Sequence, residues 1–220
     1  MYSKSRKMKQ KFTRKLKPKS IRYALHGAHD AIGTLEHGCE LFLFTKGQLL
    51  LVNILACILD QTGPADLDII TWAIGNETID KLAALRSSGK IKSMRLIIDY
   101  SVQSMHPEYC RKIRRVFGDE SIRVTKNHAK VLVLRNAEWN LVVRSSMNLN
   151  VNRRLEYCEI SDDREMAAFF GEFFGEWWRT RATGVSFEYS GKFHGDELKK
   201  FGVDNDNELG FDVENIDINF

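Results

Sequence analysis

Apolar runs alternate along this chain with amphipathic stretches, and the two patterns predict different elements. Short runs rich in β-branched and aromatic residues predict strands, at 21–25, 40–45, 67–74, 93–99, 121–125, 131–134 and 141–143. Stretches with apolar residues at helical spacing predict helices, at 48–59, 76–85, 107–116 and 162–178.

Turn and cap residues separate these elements where the pattern changes. Gly63-Pro64 ends the apolar helix, and Pro107 stands at the favoured first position of a later helix. The run 67–74 is apolar throughout, which is typical of a strand buried on both faces. The alternation of strands and helices predicts an α/β fold, with a mixed β-sheet flanked by helices on both faces.

Length and composition indicate one globular domain with charged tails. The chain has 220 residues, of which 43% are hydrophobic and 28% are charged. We expect a basic arm over 1–20, a folded domain over 21–185 and an acidic tail over 186–220. The most apolar run, 49–59, is too short to span a membrane, and no apolar leader precedes it. We therefore expect a cytoplasmic protein that does not associate with membranes.

Cysteine and histidine spacing gives no metal signature. The four cysteines, at 39, 57, 110 and 158, form no CxxC pair, so free thiols are expected. The histidine-containing segments 26–30 and 36–40 match no firm metal pattern. We expect neither a metal nor a cofactor.

The first nineteen residues hold nine bases and no acid. These bases are Lys4, Arg6, Lys7, Lys9, Lys11, Arg14, Lys15, Lys17 and Lys19. Such an arm condenses on polyanions and gains affinity by releasing counterions, so it favours DNA or RNA as the partner. A solubilising or targeting tail, or one that packs against the acidic C-terminus, remains an alternative.

Two pairs of polar residues accompany the predicted hairpin 131–143. His128 and Lys130 are two apart, and so are Ser146 and Asn148. If each pair extends a strand, its two side chains share one face. A nucleophile or proton shuttle beside a fixed positive charge suits attack on a phosphate ester. An ordinary hairpin with scattered polar residues would show the same pairs.

This combination resembles the phospholipase D superfamily, whose pattern is HxK, four residues, Asp, and later Gly-Ser-x-Asn. His128 and Lys130 match the first part, and Ser146 and Asn148 match the second, with Ser145 at the glycine position. The resemblance covers about 21–178 and implies a phospholipase D-like fold.

Two further positions bear on activity. Glu159 stands eleven residues after Asn148, where nucleases of the family often carry a glutamate that orients the histidine. Arg135 stands where the family has its aspartate. Three explanations of the missing aspartate are open. The fold tolerates its loss, or Glu138 in the same turn substitutes for it, or the chain binds phosphate in a pocket but no longer catalyses a reaction. Arg135 would in each case add positive charge for nucleic acid.

The resemblance implies a metal-independent phosphodiesterase that works through a phosphohistidine. Only one motif is present, so it also implies a homodimer with two His128 side chains, one as nucleophile and one as general acid. Lys130 and Asn148 would clamp the phosphate, Ser146 would hold the site, and Glu159 would orient His128.

A nuclease is therefore the leading hypothesis. The alternative is a catalytically inactive phospholipase D-like protein that binds nucleic acid. It predicts salt-sensitive binding that survives loss of His128 and depends on the arm. A phospholipid-acting enzyme is a third hypothesis, and the lack of an evident membrane-binding helix disfavours it.

Overall fold

The structure, a computed structural model, describes residues 19–24, 26–151 and 153–180. The acidic tail and the basic arm lie outside these residues, except that Lys19 begins the first strand. Within the described part of the chain, no helix is long and apolar enough to cross a membrane.

Eight strands, six α-helices and one short 3₁₀-helix (Asp119–Ser121) make up the described fold. The strands are β1 (Lys19–Ala24), β2 (Glu40–Thr45), β3 (Ala65–Thr71), β4 (Ile91–Asp99), β5 (Ile122–Thr125), β6 (Val131–Arg135), β7 (Asn140–Ser145) and β8 (Glu156–Asp162). The helices are α1 (Ala28–Ile32), α2 (Leu51–Thr62), α3 (Asn76–Ser87), α4 (Ser101–Met105), α5 (Pro107–Phe117) and α6 (Arg164–Thr180).

All eight strands form one mixed sheet, in the order β1-β2-β8-β7-β6-β3-β4-β5. β6 and β8 run antiparallel to their neighbours, and the other six strands share one direction. The amino ends of β6 and β8 therefore meet the carboxyl ends of the other six. We call this border of the sheet the site edge.

Alternation along each strand divides the sheet into two faces. The first face packs against α1 to α5 in one large core, which includes Leu43, Leu132 and Cys158. The second face packs against α6, where fully buried Phe174 meets β3, β4, β6 and β7. No residue of β1, β2 or β8 belongs to that second cluster.

The prediction of an α/β fold with a mixed sheet and helices on both faces is confirmed. The short helices α1 and α4 were not predicted, because five residues are too few to show helical periodicity. The aromatic face of α6 is core packing, since Phe174 and Trp178 lie against the sheet and its arginines.

The four cysteines are free thiols. Burial raises the pKa of each, and that of fully enclosed Cys158 rises to about 12. These thiols therefore stay protonated at neutral pH and behave as small apolar side chains.

A buried carboxylate on the second face holds two arginines. Asp68, only 4% exposed, accepts two hydrogen bonds of 2.6 Å from Arg95 and another from Arg135. A Cβ at Gly171 of α6 would collide with the Arg135 guanidinium, so the helix closes over this pair. Arg135 is thus part of the packing beneath α6. Its contact with nucleic acid stays a prediction, since the single Asp68 carboxylate is shared by two arginines and the Arg135 side chain is 29% exposed.

The ion pair also explains the replaced aspartate. Asp66 of β3 is the register partner of Arg135, and Asp68 supplies the carboxylate two residues further along. Glu138 does not substitute, since its exposed side chain lies in a turn built by Asn136.

We expect Asp68→Asn to lower the free energy of unfolding by about 3 kcal/mol, because two half-buried arginines lose their anion. Arg135→Asp, which restores the family residue, should destabilise at least as much, since it sets a second carboxylate beside Asp68. Urea denaturation followed by circular dichroism measures both. Arg111→Asp on exposed α5 is the control and should change stability by less than about 0.5 kcal/mol. A stable Arg135→Asp protein would contradict this account.

Candidate active site

His128 and Lys130 lie in an extended segment at the site edge. β6 begins only at Val131, so the two residues precede the strand on which they were predicted. The strand ladder nevertheless continues, because Ser145 donates its backbone N–H to the Lys130 carbonyl at 3.1 Å. The predicted pairing of the two side chains holds: Lys130 Nζ is 3.0 Å from His128 Nδ1 and 2.7 Å from the His128 carbonyl oxygen.

The two side chains differ in exposure. The His128 imidazole is exposed, whereas Lys130 is only 7% exposed. Burial lowers the pKa of Lys130, and the nearby Glu156 carboxylate opposes part of that effect. A cation that has lost much of its hydration interacts strongly with an anion that reaches it.

A serine and a glutamate adjoin this pair. Ser146 follows the end of β7; its hydroxyl donates to the Glu156 carboxylate and accepts the Tyr157 N–H at 3.0 Å. Ser145, at the family's glycine position, donates its hydroxyl to the Tyr157 carbonyl at 2.7 Å. The amino end of β8 is therefore fixed against the carboxyl end of β7, with Glu156 between them.

Glu159 does not join the other predicted site residues. It pairs in register with Arg144, and the two side chains form an ion pair at 2.7 Å. Glu156, Cys158 and Ile160 alternate onto the first face, so Glu159 lies on the second. The carboxylate beside Lys130 is Glu156. Sequence spacing pointed to Glu159, although the parity of buried Cys158 and Ile160 would have singled out Glu156.

Asn148 lies in a segment fastened to the end of β3. Leu149 donates its N–H to the Ala73 carbonyl at 3.1 Å, and its own carbonyl accepts the Gly75 N–H at 2.8 Å. A Cβ at Gly75 would lie 3.2 Å from the Asn150 Cβ, so only a residue without a side chain fits this approach comfortably. The Asn148 Oδ1 is buried and has no hydrogen-bond partner among the described residues. A buried amide of this kind is available to a ligand or water.

Two residues that the motif does not contain position the segment before Lys130. Asp99, at the end of β4, accepts the Asn127 N–H at 2.8 Å and the Ser101 N–H at 2.9 Å. The Trp72 ring lies against the His128 ring, with centroids 5.4 Å apart. Both come from strand ends distant in the sequence, so no local pattern indicates them.

The site edge thus brings together an exposed imidazole, a buried ammonium and a hydroxyl–carboxylate pair. Among the residues that the structure describes, no cluster of three or more His, Cys, Asp or Glu side chains could hold a metal. The imidazole supplies a nucleophile or a proton carrier, and Lys130 supplies charge for an anion. This set suits an anionic ester.

The coupling of Lys130 to Glu156 can be measured without any substrate. In NMR titrations the Lys130 side chain should titrate below the ordinary lysine pKa of about 10.4. Glu156→Gln removes the carboxylate that raises this pKa, so the midpoint should fall further. Glu159→Gln, three residues along the same strand, is the matched control and should leave it unchanged. A shift of equal size in both variants would refute the assignment of Glu156 to this site.

No protein-family model matches the sequence, and no curated protein matches it. Solved structures do match the fold. Nuc from Salmonella typhimurium, a phospholipase D family member, aligns with 67% of this chain and 98% of its own, at 14% identity and a TM-score of 0.50. NucT from Helicobacter pylori aligns with 54% of this chain and 81% of its own, at 12% identity and a TM-score of 0.43.

The phosphatidylserine synthase of Haemophilus influenzae Rd KW20 aligns with 74% of this chain and 45% of its own, at 18% identity and a TM-score of 0.46. At these identities the likeness concerns the fold alone. The match to nearly the whole of Nuc agrees with the resemblance drawn from the His128 segment. This chain has the fold of the phospholipase D superfamily.

Proposed function

We propose that the protein is a metal-independent phosphodiesterase that cleaves nucleic acid, with His128 as its nucleophile. The observation that carries the proposal is the contact of the Lys130 ammonium with the exposed His128 ring at the site edge. Lys130 Nζ lies 3.0 Å from Nδ1 and 3.3 Å from Nε2 of that ring. A phosphate oxygen is a stronger acceptor than an imidazole nitrogen, so a phosphate that accepts from this ammonium would be held beside the His128 ring.

Cleavage then takes two displacements at phosphorus. The free nitrogen of His128 attacks, the bond from phosphorus to the leaving oxygen breaks, and that oxygen takes a proton from a protonated imidazole. Water next attacks the phosphohistidine, returns a proton to the same acid, and releases His128. Lys130 would donate to the phosphate oxygens from its ammonium, and Asn148 would donate to them from its amide Nδ2.

The acid in this scheme is the partner subunit's His128. One chain has a single HxK segment, and a two-fold axis at the site edge would bring two of them to one phosphate. A homodimer is therefore part of the proposal. Glu156, which is bonded to Ser146 and close to Lys130, is the carboxylate that we assign to the site in place of Glu159.

The alternative function is an inactive nucleic-acid-binding protein. The reason for this alternative is that Arg135 stands where the family motif has its aspartate. Since Arg135 bonds Asp68 on the second face, that exchange removes no group from the site edge. The ion pair therefore favours the catalytic proposal over the alternative.

His128→Ala should abolish cleavage of DNA and RNA, because it removes the imidazole that lies against Lys130. The assay follows a labelled oligonucleotide in the presence of a chelator, with circular dichroism to show that the variant is folded. His106→Ala, on the surface beside α5, is the control and should cleave like the parent. If the parent cleaves no nucleic acid under these conditions, the catalytic proposal fails, and salt-sensitive binding of the same oligonucleotide would support the alternative.

The two glutamates of β8 provide a second test. Glu156→Gln should lower kcat by about a hundredfold or more, because Ser146 loses its carboxylate partner and Lys130 its neighbouring charge. Glu159→Gln should stay within about threefold of the parent, since it changes only a surface ion pair on the other face. Single-turnover cleavage measures both. The reverse order of effects would show that Glu159 serves the site.

A further inference from the structure

One part of the second face of the sheet carries exposed aromatic rings. Tyr23 of β1, Phe44 of β2 and Tyr157 of β8 are each about two-fifths exposed, and Phe42 lies half-buried among them. The α6 cluster contains no residue of these three strands. We call these four residues the aromatic patch.

The rings form a continuous surface. The Phe42 and Tyr157 rings are nearly parallel, with centroids 5.8 Å apart, and the Tyr23 and Phe44 centroids are 6.3 Å apart. Phe44 and Tyr157 are register partners on neighbouring strands. A row of exposed π-faces on a sheet is the arrangement on which successive unpaired bases stack.

Positive charge borders these rings. Lys46 Nζ lies 5.8 Å from the centre of the Tyr23 ring, whereas Arg144 on the same face is paired with Glu159 and its charge is balanced there. A protein partner that docks on an apolar surface requires no positive charge beside the rings. A nucleic-acid strand does require positive charge there, because each stacked base is attached to a phosphate.

The aromatic patch lies around the sheet border from the candidate site, on the opposite face of the sheet. Tyr157 directly follows Glu156, and its N–H bonds the Ser146 hydroxyl. Thr45, beside Phe44, is the register partner of Glu156. A strand whose phosphate lies at Lys130 therefore needs to pass only around the sheet border for its next bases to reach the rings.

We propose that the aromatic patch binds the bases of single-stranded nucleic acid next to the scissile phosphate. The bases of a duplex are paired and stacked on each other, so they cannot lie on the rings. This inference rests on the proposed function, because it assumes that the phosphate at Lys130 is the one that is cleaved. It adds that the substrate is single-stranded. A surface for a second copy of the chain is the competing occupant.

The test measures binding separately from cleavage. The full chain with His128→Ala serves as the parent, and fluorescence anisotropy follows a labelled oligothymidine of about 15 nucleotides and a duplex of the same length. The variant is Tyr23→Ile with Phe44→Ile, which keeps β-propensity and apolar area but removes two rings. Phe169→Leu, which removes an exposed ring from α6, is the control.

We expect the double variant to lose at least about fivefold in oligothymidine affinity for each ring removed. Its duplex affinity should stay within about twofold, and the Phe169 variant should match the parent with both probes. Unchanged oligothymidine affinity overturns the inference. So does loss of self-association in sedimentation with single-strand binding intact, which would assign the rings to a second copy.

Circular dichroism accompanies each measurement. If the double variant is unfolded, the oligothymidine affinities of Phe44→Trp and Phe44→Ile are compared instead. Tryptophan keeps a ring and should keep the affinity, whereas isoleucine should lower it. Equal affinities of these two variants also overturn the inference. If the unsubstituted chain cleaves no nucleic acid but the rings bind oligothymidine, the proposed function fails and the binding of bases by the aromatic patch stands.

Discussion

The reversed direction of two strands is the constraint on which the site depends. β6 and β8 run against the other six strands, so their amino ends meet the carboxyl ends of β2, β7 and β3 at one border. Lys130 and Glu156 come from those two amino ends, and Ser146 follows the strand between them. In a fully parallel sheet these chain segments would lie at opposite borders.

The strict alternation of side chains then decides which residues share the site. Glu156 and Glu159 are three apart on one strand, so they lie on opposite faces. One bonds the site serine and the other pairs with Arg144. The same rule puts the aromatic residues of β1, β2 and β8 on the second face, in the part that α6 does not cover. The sheet border separates them from the candidate phosphate position.

Charge placement on the second face shows how a family position can change without altering the site. A carboxylate at 135 would be repelled by Asp68, whereas an arginine there shares the Asp68 carboxylate with Arg95. Because that pair is buried under α6, its effect is on packing. His128, Lys130 and Ser146 lie at the site edge, where the arginine at 135 adds no charge.

The sequence by itself determined the α/β class, the main strands and helices, and the proximity of His128 to Lys130. These depend on local periodicity and short spacings, which a single strand or helix expresses without its neighbours. The short helices α1 and α4, the partner of Arg135, and the roles of Asp99 and Trp72 were decided by tertiary structure. So was the choice between Glu156 and Glu159. Each of these depends on register or on contacts between segments far apart in the chain, and a contact of that kind leaves no local pattern in the sequence.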